Sequence, residues 1–425
     1  MTGTVDFTVL LVASGAVVLG AVAGAVGVFA VLRRESLLGD VLAHATLPGI
    51  CIGYLIAQDK SLLALLAGGL ATALVAGLLH RLITRVTPLK EDTSLGITLS
   101  LFYGLGIVLL TRIQGLSYGT QAGLKTFLFG SAVTMLPEDV AAIGTLGIIA
   151  AILLSLIYKE LKLLLFDAQF ASTLGYPTRF LDFTLTMLLG LVIVTGLRLA
   201  GIVLMVAAVI IPAVAARQWS DRLNRVILLA ATIGAVSGVT GSVVSAAVPW
   251  MKTGPSIVIV ASLVFLASFA FSPRRGVVAL WLRKRRMQRA IEEDHLLRDL
   301  YLVAESKRAI AVDASFVELL GRRGMSPGQL RRVIRRLTAR GLIVESPFGV
   351  RLTEAGMERA RRIVARHRLW ETYLSRELGL PEDHLHRDAE EMEHAMDEQL
   401  TELLKHELGH PERDPHGKII PGEPQ

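Results

Sequence analysis

Between Phe7 and Phe271 the sequence returns repeatedly to long apolar runs, near Phe7–Leu32, Val41–Ala57, Leu62–Thr84, Ser94–Thr111, Asp139–Tyr158, Asp182–Thr195, Leu199–Ala216, Val226–Trp250 and Ser256–Phe271. About 20 residues of helix, rising ~1.5 Å each, cross a hydrocarbon core of ~30 Å. Inside a bilayer the backbone must satisfy its own hydrogen bonds, so runs of this length and spacing fold as membrane helices. Eight or nine spans are expected. Leu124–Ser131, with its Phe-Leu-Phe-Gly run, reads as a segment that dips in without crossing. The first run has no basic n-region and no small-residue cleavage site, so it is expected to stay as a helix.

Charge divides the chain in two. Met1–Ser272 holds 28 charged residues and Pro273–Gln425 holds 53. The first part is too apolar for a soluble domain and the second too charged for lipid, which excludes a single soluble enzyme and an all-membrane protein alike. The one cysteine, Cys51, excludes an internal disulfide and a Cys-rich zinc site. The net charge of +7 is what basic cytoplasmic loops give, and it does not by itself point to nucleic acid.

Lysine and arginine concentrate on alternate connections: Arg33 and Arg34, Arg81 and Arg85, Lys159 and Lys162, Arg217 with Arg222 and Arg225, then Arg274 and Arg275. With nine spans the positive-inside rule places the N-terminus outside and everything after Phe271 in the cytoplasm. Arg274–Arg289 contains seven basic residues and no acid, as expected of a stop-transfer and lipid-headgroup patch at a membrane exit. Most glycine, alanine and serine in the spans reads as close helix packing.

Ionisable residues at membrane depth are costly and face a pathway or a partner. Asp40 and His44 stand at i and i+4, on one face of a helix. From spacing alone they are either half of a divalent transition-metal site or a membrane-edge ion pair or cap. Asp167–Pro177 is a short amphipathic stretch between Lys162 and Arg179, suited to dock in a partner's groove or to lie on the lipid surface. No Gly-x-x-x-x-Gly-Lys-Ser/Thr occurs, so the chain is not expected to hydrolyse ATP itself.

Arg34-Glu-Ser-Leu-Leu-Gly-Asp-Val-Leu-Ala-His-Ala-Thr-Leu-Pro-Gly49 resembles the signature of ABC-transporter permeases for manganese, zinc and iron. Leu165–Pro177 looks like that family's cytoplasmic coupling segment, Gly201–Arg217 like its next long motif and Thr253–Ser256 like its last. The resemblance implies that Asp40 and His44 lie on the metal pathway. It also implies that Phe166, Asp167, Phe170, Leu174, Gly175 and Pro177 meet an ATPase subunit. Further implied partners are an external metal-binding protein and a second permease subunit, identical or sister.

After Asp294 the periodicity changes to that of soluble amphipathic helices. His295–Ala304 predicts one helix, Asp313–Leu320 a second capped by Asp313, and Gln329–Arg340 a third, begun by Ser326-Pro-Gly and ended by Gly341. Leu342–Val344, Pro347–Gly349 and Val350–Leu352 predict a hairpin. That order is a winged helix. Gln329, Arg331, Arg332 and Arg335 on its recognition helix suit DNA contacts, although the same residues also suit a solvent face or a protein-docking module. Beyond the wing, His367 and Glu371, then His386, Glu390 and His394 with Glu393 alongside, form two His/Glu stripes that would make a mixed N/O metal site.

Gln329–Gly341, Leu352–Gly356, Arg366–Glu371, His386–His394 and Pro415–Gly422 are similar to the diphtheria toxin repressor family of metal-dependent regulators. The resemblance implies a dimer and a ligand set of His367, Glu371, His386, Glu390, Glu393 and His394, with His295 at a first-helix ligand position. Glu390 stands where manganese-type members carry glutamate and iron-type members cysteine. Arg298 departs from a first-helix carboxylate of the manganese regulators, and Gln329 and Arg331 replace small hydroxyl residues.

The expected architecture is an all-α polytopic membrane domain of eight or nine transmembrane helices over 1–272, then a basic juxtamembrane linker over 273–290. A cytoplasmic winged-helix domain over 291–356 and a helical metal-binding and dimerisation domain over 357–425 follow. The expected function is a permease subunit of a bacterial ABC importer in the plasma membrane. Its substrate is a divalent transition metal, Mn2+ before Fe2+ or Zn2+, and the same metal would be the regulatory ligand of the tail. The rival is a membrane-tethered metal-dependent transcription factor. A permease for metal chelates would need a wide apolar path, which Asp40 and His44 oppose.

Overall fold

The computed structural model describes residues 7–58, 61–115, 135–248, 250–308, 312–323, 325–379 and 398–422. The expected re-entrant segment Leu124–Ser131 and the stripe His386–His394 lie outside the described residues. Two compact units result, Met1–Leu280 and Trp281–Gln425.

In the first unit, α1 (Phe7–Leu32), α2 (Ser36–Ala57), α3 (Leu62–Val86), α4 (Glu91–Gln114) and α5 (Pro137–Leu156) precede two short helices, α6 (Tyr158–Phe166) and α7 (Ala168–Thr173). α8 (Thr178–Ala200), α9 (Ile202–Arg217), α10 (Leu223–Ala247) and α11 (Thr253–Phe271) complete it. Among the described residues eight helices are long and apolar enough to cross a membrane. The expected span Leu199–Ala216 is α9, whose 16 residues extend about 24 Å. The chain breaks between α8 and α9 at Gly201, where φ is +81° and a side chain would be strained.

α1 is the central post, packed on α10, α9, α5 and α8, while α2 packs on α3 and α4. Lipid tails are as apolar as leucine, so helices associate in a bilayer by close fit, and small residues allow it. A Cβ on Gly20 would sit 2.3 Å from the Gly234 carbonyl oxygen, and one on Gly234 would sit 2.0 Å from that of Gly20. One turn on, a Cβ at Gly24 would meet the Ala230 carbonyl at 2.3 Å. Gly49 and Gly53 make the corresponding approach of α2 to Gly68 and Ala64 of α3. Glycines thus pack helices closely at these crossings.

In the second unit, α12 (Val277–Ser306) starts inside the basic stretch and includes the unit boundary. It is followed by α13 (Phe316–Arg323), α14 (Pro327–Ala339), β1 (Ile343–Ser346), β2 (Gly349–Leu352), α15 (Glu354–Glu377) and α16 (Glu398–Glu407). β1 and β2 pair antiparallel from Ile343↔Leu352 to Ser346↔Gly349, and Ala314 bridges Val350 as a third short edge. This is the winged helix expected from the sequence. Leu296, Leu297, Leu300 and Val303 of α12 pack with Leu330, Val333, Ile334 and Leu337 of α14 in one core. Their i, i+3, i+4 spacing is the amphipathic pattern that drives the fold. Ser326 caps α14 in a reciprocal box with Gln329. Asp313 does not cap α13 as expected; the helix starts later, at Phe316, and the Glu318 N–H donates to Ser315 Oγ at 3.2 Å. Asp313 instead precedes Ala314, whose backbone pairs with Val350 of the wing.

Gly24→Val is expected to lower the thermal stability of the purified full chain by about 1–3 kcal/mol, as overpacking does. Gly144→Ala, where a Cβ meets nothing within 4 Å, is expected to leave it unchanged.

Candidate metal sites

α2 begins at Ser36, five residues before the apolar run suggested, so Asp40 and His44 both lie within helix. Every residue from Val41 to Ile50 is buried except His44. The His44 Nδ1 atom lies 3.1 Å from Asp40 Oδ1 and 3.0 Å from the Asp40 carbonyl, and Tyr103 of α4 meets the ring edge-on at 5.3 Å. With Nδ1 turned to its own helix, Nε2 is the nitrogen available to a cation. Pro48, inside the same helix, has no N–H to give the carbonyl of His44, four residues earlier. Carboxylate and imidazole are donor types that suit a borderline divalent ion.

The amphipathic stretch is built as a self-contained corner. Asp167 caps α7 by accepting from the Phe170 N–H at 2.8 Å. Gly175, at φ +84°, ends it, and the Tyr176 N–H returns to the Ala171 carbonyl at 3.1 Å. Phe166, Phe170 and Leu174 are 77%, 52% and 56% exposed, forming an exposed apolar face. Pro177 then caps α8.

In the second unit, His367 and Glu371 are buried on α15, and His367 Nε2 lies 3.2 Å from Glu371 Oε1. The Arg298 guanidinium lies 3.2 Å from His367 Nδ1. A guanidinium only donates, so Nδ1 is the acceptor in this contact, while Nε2 faces Glu371. A metal held at Nδ1 would have to displace Arg298. Glu371, Asp414 and His416 bring one ligand atom each to within 4.8 Å of one another, two carboxylates and an imidazole from positions far apart in the chain. Asp414 is buried, accepts from the Lys418 N–H at 2.7 Å and lies 3.5 Å from Arg368 Nε. Asp414 and His416 were not expected as ligands; the Asp-Pro-His-Gly run held the signal, yet its distance from Glu371 is closed only by the fold. His295 lies part-buried on α12. His386, Glu390, Glu393 and His394 lie outside the described residues.

The recognition helix α14 is partly engaged already. Gln329 spends its amide oxygen on the Ser326 cap, Arg331 leans over the Phe316 ring at 5.7 Å, and Arg332 Nε donates to the Gly328 carbonyl at 3.1 Å. Arg336 pairs with Glu292 at 2.8 Å and Arg340 with the buried Glu293 at 2.5 Å. Arg335 lines a cleft of about 890 Å³ together with Arg285, Arg289 and Arg332.

Residues 6–272 match the ABC 3 transport family, and residues 353–422 match the iron dependent repressor, metal binding and dimerisation domain. The manganese transport system membrane protein MntC of Bacillus subtilis is 35% identical over 398 residues, covering 93% of this chain and 91% of that protein. The zinc transport system membrane protein TroC of Treponema pallidum is 43% identical over 281 residues, covering 66% of this chain and 94% of that protein. Among solved structures, PsaBC from Streptococcus pneumoniae, in complex with Fab, superposes with a TM-score of 0.58 at 33% identity, covering 65% of this chain and 96% of that one.

Asp414→Ala is expected to weaken Mn2+ binding by the full chain in detergent by about tenfold or more, as losses within a metal site do. Isothermal titration measures it, and unchanged affinity would remove Asp414 from the donor set.

Proposed function

The chain belongs to the ABC 3 transport family, as a metal ABC transporter permease with a C-terminal metal-regulator domain, and on that premise we propose that it carries Mn2+ past Asp40 and His44. The observation that carries this reading is the donor set on α2: a carboxylate and an imidazole 3.1 Å apart on an otherwise buried helical face. Oxygen and imidazole donors suit first-row divalent ions, among which Mn2+ is the weakest binder and needs the hardest ligands. Zn2+ and Fe2+ are the competitors.

In this reading an external metal-binding protein delivers the ion and a second permease subunit completes the path. A separate ATPase docks on the apolar face of Phe166, Phe170 and Leu174. Residues 1–272 form the permease and 273–290 the basic exit. The winged helix over 291–356 and the metal-binding domain over 357–425 stand in the cytoplasm, consistent with the arginines that follow the last span. Cytoplasmic metal held by His295, His367, Glu371, His386, Glu390, Glu393 and His394 draws two tails together and biases the transporter toward rest. Such feedback requires tighter metal binding in one tail arrangement than in the other. The tail residues fit a resident divalent ion by donor chemistry, since Glu371, Asp414 and His416 already converge.

A second reading, DNA binding through the winged helix, is favoured by the arginine-lined cleft beside Arg335 and weakened by the internal commitments of Gln329, Arg331 and Arg332.

Uptake of radiolabelled Mn2+ by cells expressing the chain with its ATPase and binding protein is expected to fall by about tenfold or more in Asp40→Ala and His44→Ala at normal membrane levels, the scale of losing a metal ligand. Uptake equal to wild type in both variants would falsify the pathway assignment. In vesicles, Glu390→Ala with Glu393→Ala is expected to abolish inhibition by internal Mn2+, and inhibition that persists removes the feedback role.

A further inference from the structure

Four charged side chains meet where α1, α2, α3 and α8 converge, and none belongs to the metal pair or to the docking segment. Asp182 lies in the second turn of α8, five residues after Pro177. Its Oδ1 forms an ion pair with Arg33 Nη1, and its Oδ2 lies 3.6 Å from Arg81 Nη1. Arg81 also donates to the Asp182 carbonyl and to Thr186 Oγ1, each at 2.5 Å. Arg33 in turn reaches Glu35 at 3.0 Å, the residue that precedes α2 as its cap. All four side chains are only 16% to 21% exposed. Burial raises the Glu35 carboxyl above its ordinary range, although Arg33 pulls it back.

Ion pairs this sheltered respond sharply to the loss of one partner, because the other charge is left uncompensated. Here the charges are shared: Arg33 holds Asp182 and Glu35 at the same time. Arg33 has two acids, Asp182 on α8 and Glu35 at the head of α2. Arg33 thus links α8 to the head of α2, while Arg81 ties Asp182 to α3. Pro177 leads from the Gly175 turn straight into α8, and Asp182 stands five residues on in the same helix. On the other side, Glu35 is one residue before a helix that bears Asp40 in its second turn.

We propose that Asp182 is the positioning residue that passes movement of the 167–177 segment to α2, and so to Asp40 and His44. The inference rests on the reading of that segment as the ATPase dock and of that pair as the metal path.

The test uses proteoliposomes holding the full chain, its ATPase and its binding protein, and reads Mn2+ ions taken up per ATP hydrolysed. Asp182→Asn is expected to keep ATP hydrolysis while the ratio falls about tenfold, within the usual range of coupling energies, and Asp182→Glu restores it. Because Asp182→Asn leaves two arginines on one acid, Asp182→Asn with Arg81→Gln is measured beside it. That pair of changes keeps the cluster neutral with Arg33–Glu35 intact, and the same fall is expected. A wild-type ratio in the double variant, whether both rates hold or both decline together, overturns the assignment while His44→Ala remains inactive. Uptake retained by His44→Ala in the same vesicles removes the pathway reading, and this proposal with it.

Discussion

Backbone contact at glycine holds the membrane half together. Gly20 and Gly24 on α1 lie against Gly234 and Ala230 on α10, and Gly49 and Gly53 on α2 lie against Gly68 and Ala64 on α3. With no hydrophobic force to separate helix from lipid, this proximity supplies the dispersion and Cα–H contacts that a larger side chain would prevent. The second crossing also fixes α2 along its length. Val41 to Ile50 are buried apart from His44, and the helix offers its two ionisable side chains from a face that packing leaves partly open.

Charge is handled by the same economy in both units. Arginine serves as the resident cation at several sheltered carboxylates: Arg33 and Arg81 on Asp182, Arg368 on Glu305 and Asp414, Arg336 and Arg340 on Glu293. Its fork can satisfy two acceptors at once, which a lysine ammonium does less well. At His367 the guanidinium of Arg298 faces Nδ1, so the position that departs from the manganese-regulator pattern bears directly on a residue of the expected ligand set. A cation is thus already present beside that imidazole.

Much of this was legible in the residues. Apolar runs located the helices, and their limits shifted where polar residues sit in first turns, as at Ser36 and Thr178. The i, i+4 relation of Asp40 and His44 survives because one helix determines it. The capping box at Ser326 and the wing hairpin follow from local chemistry in the same way. Sequence reasoning failed where a neighbour decides. Asp313 has the composition of a cap, yet its pairing strand claims the backbone beside it, and Ser315 takes the role. The run Leu199–Ala216 is one of the eight or nine spans read from the sequence, and the break at Gly201 shortens its helix to 16 residues.

By itself the sequence determined the division into membrane and soluble halves, the helical nature of the first, the winged helix of the second and the candidate pair on α2. Each depends on periodicity, composition or spacing within about one element, where the chain's geometry is fixed by backbone hydrogen bonding. Only the tertiary structure decided that Arg33, Arg81 and Asp182 form one cluster, that Asp414 and His416 return to Glu371, and that Arg298 faces His367. These residues are separated by tens of positions in sequence. Their meeting depends on which helices the glycines and the core leucines allow to touch, and no local rule contains that choice.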